Sequence, residues 1–194
     1  MKTTEVLVQK LIDSIHSSHD LKLVSDTLEE LADKKTFREH SSAIVTDPNL
    51  TLPQKRQQLL YLIRSLDIPV LYQFFSTELT TDKLWLFARD KIDYFDRFVR
   101  AFQMSTEQID IVNLVTAVPL GETDIKAIAL DLGKAFASKV LVNHEVDPDI
   151  IGGAQIRVEN LIFDFSLRTK FSQFEHQWLA SVAETGDLTG RYQE

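Results

Sequence analysis

The sequence predicts an α+β protein that is mainly α, in which an N-terminal bundle of about six helices precedes a small mixed α/β C-terminal domain. Across the first half, apolar residues recur every three or four positions, the spacing of one face of an α-helix. Residues 109–118 change to a β-branched run that is apolar on both faces, as in a buried strand. These patterns place the domains at residues 1–105 and 106–183, followed by a polar tail at 184–194.

Three helical faces are recognisable in the first third of the chain. Asp47-Pro48 and Leu52-Pro53 separate them, because proline lacks an N–H and does not continue a helix. A further helix is expected after Pro69, and another apolar seam runs over Leu84–Phe102. The three faces consist of Val8, Leu11, Ile12 and Ile15; of Leu21, Val24, Leu28 and Leu31; and of Leu59, Leu62, Ile63 and Leu66.

The helix after Pro69 is unusually apolar. On a helical wheel its apolar arc, from Val70 to Leu79, covers about 180°, whereas a surface helix needs a stripe of roughly 100°. Either the helix is central and buried on most sides, or it lines a groove that receives an amphipathic helix from a partner.

The second half alternates strands and helices. Pro119 ends the strand predicted at residues 109–118, and acidic residues in the first turn after Gly121 open a helix. Lys139–Val146 is the next expected strand. The inner face of the intervening helix is expected to consist of Ile125, Ile128, Ala129, Leu132 and Phe136.

A corner and a hairpin are predicted before the last helix. Asp147-Pro148 and Gly152-Gly153 provide turn chemistry, and Ala154–Val158 and Leu161–Phe165 fit two antiparallel strands joined by two residues. Ser166 is the expected cap of the final helix. The apolar side chains of that helix are Leu167, Phe171, Phe174 and Trp178, of which Phe171 and Phe174 are expected in the small core.

Composition and charge exclude several classes of function. No apolar run approaches the roughly 20 residues that span a bilayer, so the chain is not expected to be a membrane protein itself. The absence of cysteine excludes disulfides, thiolate metal sites and cysteine nucleophiles. The net charge is −8, and from Thr106 onward 7 basic residues oppose 14 acidic ones, which disfavours nucleic-acid binding. Met1–Lys10 has no signal or transit pattern, so a bacterial cytoplasmic location is expected.

No set of residues predicts catalysis or a cofactor. His16 and His19 lack a third metal ligand at a characteristic spacing. Gly133-Lys134 lacks the first glycine and the Ser or Thr of a phosphate-binding loop. A hydrolase that uses Asp147 and Asp164 is the least favoured alternative, because no nucleophile, base and orienting group occur together.

The C-terminal motifs resemble those of the δ subunit of bacterial F-type ATP synthase, the counterpart of the mitochondrial oligomycin-sensitivity-conferring subunit. Ala117-Val118-Pro119-Leu120 before a helix also recurs in that family. This chain departs from the family pattern at Glu159 and Phe165, and it lacks the usual Tyr-Ala-x-Ala in its first helix. The residues that carry the resemblance are Asp147, Pro148, Ile151, Gly152, Gly153, Asp164, Ser166 and Arg168.

The resemblance implies a non-catalytic stator subunit without a cofactor. In that family the helical bundle grips the N-terminal helix of the ATP synthase α subunit in a groove formed by its first and fifth helices, and the C-terminal domain binds the C-terminal helices of the b subunit. The groove residues that the resemblance implies are Val8, Ile12, Leu71, Phe74, Phe75 and Leu79. Phe165 and Trp178 are the candidate b contacts, and membrane association would occur only through the complex. The alternative is a stand-alone helical adaptor that binds amphipathic peptides and has no role in energy coupling.

Overall fold

The computed structural model describes residues 2–89, 92–158 and 160–185. Within the first part of this range, six α-helices and one 3₁₀ segment form the predicted bundle. The elements are α1 (Lys2–Ser14), α2 (Ser18–Asp33), α3 (Lys35–Thr46), α4 (Leu52–Arg64), α5 (Pro69–Glu78), the 3₁₀ segment Thr81–Phe87 and α6 (Tyr94–Thr106).

Local sequence signals explain where several helices begin. The Ser17 hydroxyl accepts a hydrogen bond from the Asp20 N–H at 3.0 Å and caps α2. The Gln54 side chain accepts from the Thr51 N–H at 2.9 Å, one half of a capping box at α4. Pro53 and Pro69 lie in the first turns of α4 and α5, where a missing N–H costs no helical hydrogen bond. The prolines therefore start helices as well as separating them.

An aromatic cluster occupies the core of the bundle. The Phe74 and Phe75 rings lie 5.1 Å apart edge to face, and the Phe87 and Phe95 rings lie 5.4 Å apart. Phe98 contacts both Phe74 and Phe75 at ring distances of 6.3 Å. Such aromatic pairs add about 0.5–1.5 kcal/mol each beyond the area they bury.

Helix α5 is central to this core, as the first interpretation of its wide apolar arc predicts. Leu71, Phe74 and Phe75 on α5 are buried, and so is Leu79 just after it. Arg56 of α4 donates from Nε to the Leu79 carbonyl and from Nη2 to the Ser76 carbonyl, both at 2.7 Å. The free carbonyls at the end of α5 thus receive a cationic partner.

The second half folds into strands and helices close to those predicted. Its sheet has the order β2-β1-β3-β4, with β1 and β3 antiparallel and β3 and β4 antiparallel. Val158 pairs with Leu161 across the predicted two-residue connection, of which Glu159 lies outside the described residues. The elements are β1 (Asp110–Thr116), α7 (Glu122–Phe136), β2 (Val140–Val146), a 3₁₀ turn (Pro148–Ile150), β3 (Ala154–Val158), β4 (Leu161–Asp164) and α8 (Leu167–Thr185).

Two expectations for this half are corrected by the structure. Phe136 is exposed at the end of α7 and is not part of an inner face, whereas Ala129 is buried as predicted. Strand β1 ends at Thr116, where the Thr116 hydroxyl donates to the Val118 carbonyl at 2.6 Å and turns the chain toward Pro119.

The chain divides into two compact units. The first consists of residues 1–110 and 126–141, and the second, called the C-terminal unit below, of residues 111–125 and 142–194. The domain boundaries at 105/106 and 183/184 stay predictions. Among the described helices, none combines the length and the hydrophobicity that crossing a membrane requires.

Candidate functional site

Asp164 organises the corner between β4 and α8. Its carboxylate accepts hydrogen bonds from the Ser166 N–H at 2.8 Å, the Thr169 hydroxyl at 2.7 Å and the Gln155 side-chain amide at 3.1 Å. These bonds, led by those from Ser166, lower the pKa of Asp164 to about 2. The buried Ser166 hydroxyl accepts from the Thr169 N–H at 3.3 Å and is the predicted helix cap.

The turn before β3 is built from left-handed backbone. The Asp147 carboxylate accepts from the Asp149 N–H at 3.0 Å and starts the turn. Ile151, Gly152 and Gly153 then have φ values of 60°, 117° and 81°. A Cβ at Gly153 would lie 2.4 Å from the Phe165 carbonyl oxygen, so only glycine fits there.

Hydrogen bonds join this turn to the corner at Asp164. The Leu167 N–H donates to the Gly152 carbonyl at 2.9 Å, and the Phe165 N–H donates to the Ala154 carbonyl at 2.8 Å. Arg168 Nη1 donates to the Asp149 carbonyl at 3.4 Å. The residues that carry the family resemblance, although spread over residues 147–168, thus form one connected corner at the start of α8.

Large apolar side chains in and after this corner are exposed. Phe165 and Trp178 are exposed, and so are Phe171 and Phe174, for which the predicted core positions are wrong. The apolar residues of strand β4 alternate between both faces, a pattern typical of a buried strand. In the structure, however, all four residues of β4 are exposed. The exposed large apolar residues of this region are Ile151, Leu161, Ile162, Phe163, Phe165, Leu167, Phe171, Phe174, Trp178 and Leu179.

The predicted groove residues of the bundle have a different environment. Val8 and Ile12 of α1 are buried together with the four candidates on or beside α5, so none of the six side chains is open to solvent in this structure. An ion pair between Lys10 Nζ and Glu78 Oε2 at 2.7 Å connects the exposed edges of α1 and α5. Hydrogen bonds from Lys10 and Lys83 lower the pKa of Glu78.

The residues of the alternative catalytic hypotheses are engaged in local structural contacts. Gly133 and Lys134 lie within α7, where Lys134 pairs with Asp131 at 2.8 Å, so no phosphate-binding loop is formed. Asp147 and Asp164 are both engaged in the turn and corner hydrogen bonds given above. In the described part of the chain, no three His, Cys, Asp or Glu side chains are grouped as a metal site requires.

Comparison with known proteins decides the family. The family model for the ATP synthase delta (OSCP) subunit matches residues 10–177, a range that runs from the last part of α1 into α8 and includes the whole corner. The chain belongs to the ATP synthase delta (OSCP) subunit family.

Two relatives found by sequence, both named ATP synthase subunit delta, agree with this membership. ATP synthase subunit delta of Bacillus licheniformis is 32% identical over 162 residues, covering 80% of this chain and 84% of the relative. The protein of the same name from Alkaliphilus metalliredigens is 22% identical over 160 residues, covering 81% and 86%. A chain of the Toxoplasma gondii mitochondrial ATP synthase hexamer overlaps 91% of this chain and 96% of its own length, with 16% identity and a TM-score of 0.35.

Proposed function

We propose that this family member is a non-catalytic peripheral-stalk subunit, a stator, of a bacterial F-type ATP synthase. It holds the catalytic head to the b stalk, so that the head resists rotary torque during proton-driven ATP synthesis. The helical bundle binds the N-terminal helix of the α subunit, and the C-terminal unit binds the C-terminal helices of the b subunit. The protein is peripheral to the cytoplasmic face of the membrane and is attached there through the complex.

The observation that carries the proposal is an exposed seam on α8. Leu167, Phe171, Phe174 and Trp178 are spaced by four, three and four residues, the spacing of the a and d positions of a coiled coil. All described side chains from Phe171 to Ala180 are exposed. In proteins most helical stability comes from packing of an apolar face, and this face of α8 is exposed, which favours a helical partner along the seam.

The energetics of the seam support a stable contact. Full burial of one large apolar side chain contributes about 1.5–3 kcal/mol, so covering several of them offsets the entropy lost on association. Strand β4 carries further exposed apolar residues, Leu161, Ile162 and Phe163. Apolar patches of this kind on otherwise polar proteins mark interaction sites.

The bundle offers a second contact where α1 and α5 meet. The predicted groove residues form the buried floor beneath this junction, and Val6 is an exposed apolar side chain on α1. An incoming helix of the α subunit would then contact Val6 and the edges joined by Lys10 and Glu78. In the proposal the six buried candidates shape the junction and do not themselves contact the partner.

Because a stator makes two contacts through one chain, each interface needs only a moderate affinity. Once the bundle is bound to the head, the C-terminal unit is confined near the stalk at a high effective concentration. Overall affinity then exceeds either single affinity by a factor of about 10²–10⁴ if the geometry permits both contacts.

The test is a binding experiment with the two partners taken separately. The full chain is titrated by calorimetry with a peptide of the N-terminal helix of α, and then with a fragment that comprises the C-terminal helices of b, called the b fragment below. Phe174→Asp places a charge in the seam and should abolish binding of the b fragment while leaving the α peptide bound. Val6→Asp should have the reverse effect.

A matched control separates charge from location. His176 lies about 160° from the seam on the α8 wheel, at 100° per residue, so His176→Asp adds the same charge on the far face. It should leave both affinities unchanged. If wild-type protein binds neither ATP synthase partner but captures unrelated amphipathic peptides, the adaptor alternative replaces the stator.

A further inference from the structure

Ile151 is held in a backbone conformation that its side chain disfavours. Its φ of 60° and ψ of 14° are left-handed, which is uncommon for any non-glycine residue and an outlier for a β-branched one. Asp67 and Ala137 are the other non-glycine residues with positive φ in the described chain. Neither is β-branched, and aspartate tolerates this region through local hydrogen bonding.

Burial of the side chain does not compensate this strain. Ile151 is 63% exposed, whereas the preceding Ile150 is 3% exposed and anchors the turn. In the isolated chain, a glycine or asparagine would be the less strained choice at residue 151. Strained residues of this kind occur at binding sites when the surrounding structure fixes them.

The surrounding structure fixes Ile151 beside the first residue of the α8 seam. The Ile151 N–H donates to the Pro148 carbonyl at 3.1 Å, and the next carbonyl, that of Gly152, accepts from the Leu167 N–H at 2.9 Å. A Cβ built on Gly152 would lie 3.0 Å from Leu167 Cδ1. The turn and the N-terminal end of the seam are therefore one apolar neighbourhood.

We propose that Ile151 is a partner-contact residue that extends the α8 seam by one position beyond the start of the helix. The partner that contacts Ile151 is the amphipathic helix of the b subunit that covers Leu167 and Phe171. A helix that lies along the seam continues past Leu167 onto the turn. This inference rests on the proposed function and names a contact that helical periodicity alone does not include. The left-handed backbone directs the side chain outward at the expense of stability in the free protein.

The experiment measures stability and binding on the same full-length variants. Ile151→Asn suits left-handed backbone but is polar, so it should raise the midpoint of thermal unfolding by about 2–4 °C and weaken binding of the b fragment about tenfold. Ile151→Leu removes the β-branch but stays apolar, and it should retain binding within about threefold.

The control is Ile111→Thr, at the opposite end of β1 from the paired residues Thr116 and Ala154. Ile111 is exposed, and threonine keeps β-propensity, so binding should be unchanged. Suppose that wild type binds the b fragment, Phe174→Asp does not, and Ile151→Asn binds as tightly as wild type. This result would overturn the contact at Ile151 and leave the proposed function standing. Failure of wild type to bind the b fragment overturns the proposed function and this inference together.

Discussion

The bundle and the C-terminal unit use aromatic side chains in opposite ways. Phe98 in the bundle is 0% exposed and packs against other phenylalanine rings, whereas Phe174 on α8 is 66% exposed. Both lie on helices with apolar residues at helical spacing. The bundle therefore buries its phenylalanine rings within the chain, whereas Phe171 and Phe174 of α8 are exposed to solvent.

The largest expected effect comes from the same substitution made in both regions. Phe98→Ala should lower the free energy of unfolding by about 4 kcal/mol, because it removes a fully buried ring and leaves a cavity. Phe174→Ala should change it by less than about 0.5 kcal/mol. Urea unfolding followed by circular dichroism measures both values. Equal losses would contradict the comparison and show that α8 packs within the free chain.

A buried charge in the bundle provides the next test. Arg38 is buried, donates to the Asp93 carboxylate and lies 4.8 Å from the centre of the Phe95 ring. Asp93→Asn should cost about 3 kcal/mol of unfolding free energy, because it leaves the buried Arg38 guanidinium without its anion. The control is Lys10→Met, which breaks the more exposed Lys10–Glu78 pair and should cost at most about 1 kcal/mol. Similar costs for both variants would argue against a special role for buried charge here.

Gly153→Ala examines whether the C-terminal unit has a well-ordered backbone despite its exposed side chains. The added Cβ would meet the Phe165 carbonyl at 2.4 Å at a φ of 81°, so a loss of about 2 kcal/mol is expected. Gly121→Ala, where the nearest atom is 3.6 Å away and φ is not positive, should be neutral or slightly stabilising. Thermal unfolding of the two variants checks this, and a tolerated alanine at residue 153 would rule out the tight corner.

The smallest expected effect is the acid response of the same corner. The folded pKa of Asp164 is lowered to about 2 from an ordinary value of 3.8, chiefly by hydrogen bonds from Ser166. A lowered pKa means that the charged carboxylate favours the folded state. Its contribution is present above about pH 4 and is lost as the pH falls through about 2.

A titration of the Asp164 side-chain carbon by NMR measures this pKa directly. Its midpoint should lie near 2, and Asp164→Asn should remove the corresponding part of the acid transition. A midpoint at the ordinary value near 3.8 would mean that Ser166, Thr169 and Gln155 do not hold the carboxylate in solution.

Much of the fold could be predicted because its signals are local. The Val158–Leu161 hairpin connection, the Ser166 cap and the start of α8 follow from turn and cap chemistry within a few residues. The corner motif also indicated the family correctly. Phe171 and Phe174 were misplaced because spacing defines which side chains share a face, but it does not say what covers that face.

The wide arc of α5 illustrates the same division within the bundle. The sequence determined that Leu71, Phe74 and Phe75 share one helical arc, and both a central helix and an open groove are consistent with that arc. In the tertiary structure this arc is buried, because rings distant in the chain, such as Phe98, pack against α5. Helices, turns and caps depend on neighbours along the chain, whereas burial depends on which surfaces the folded chain brings together. For this protein the sequence alone therefore determined the elements and the family, and only the tertiary structure separated the self-contained aromatic core of the bundle from the exposed seam of α8.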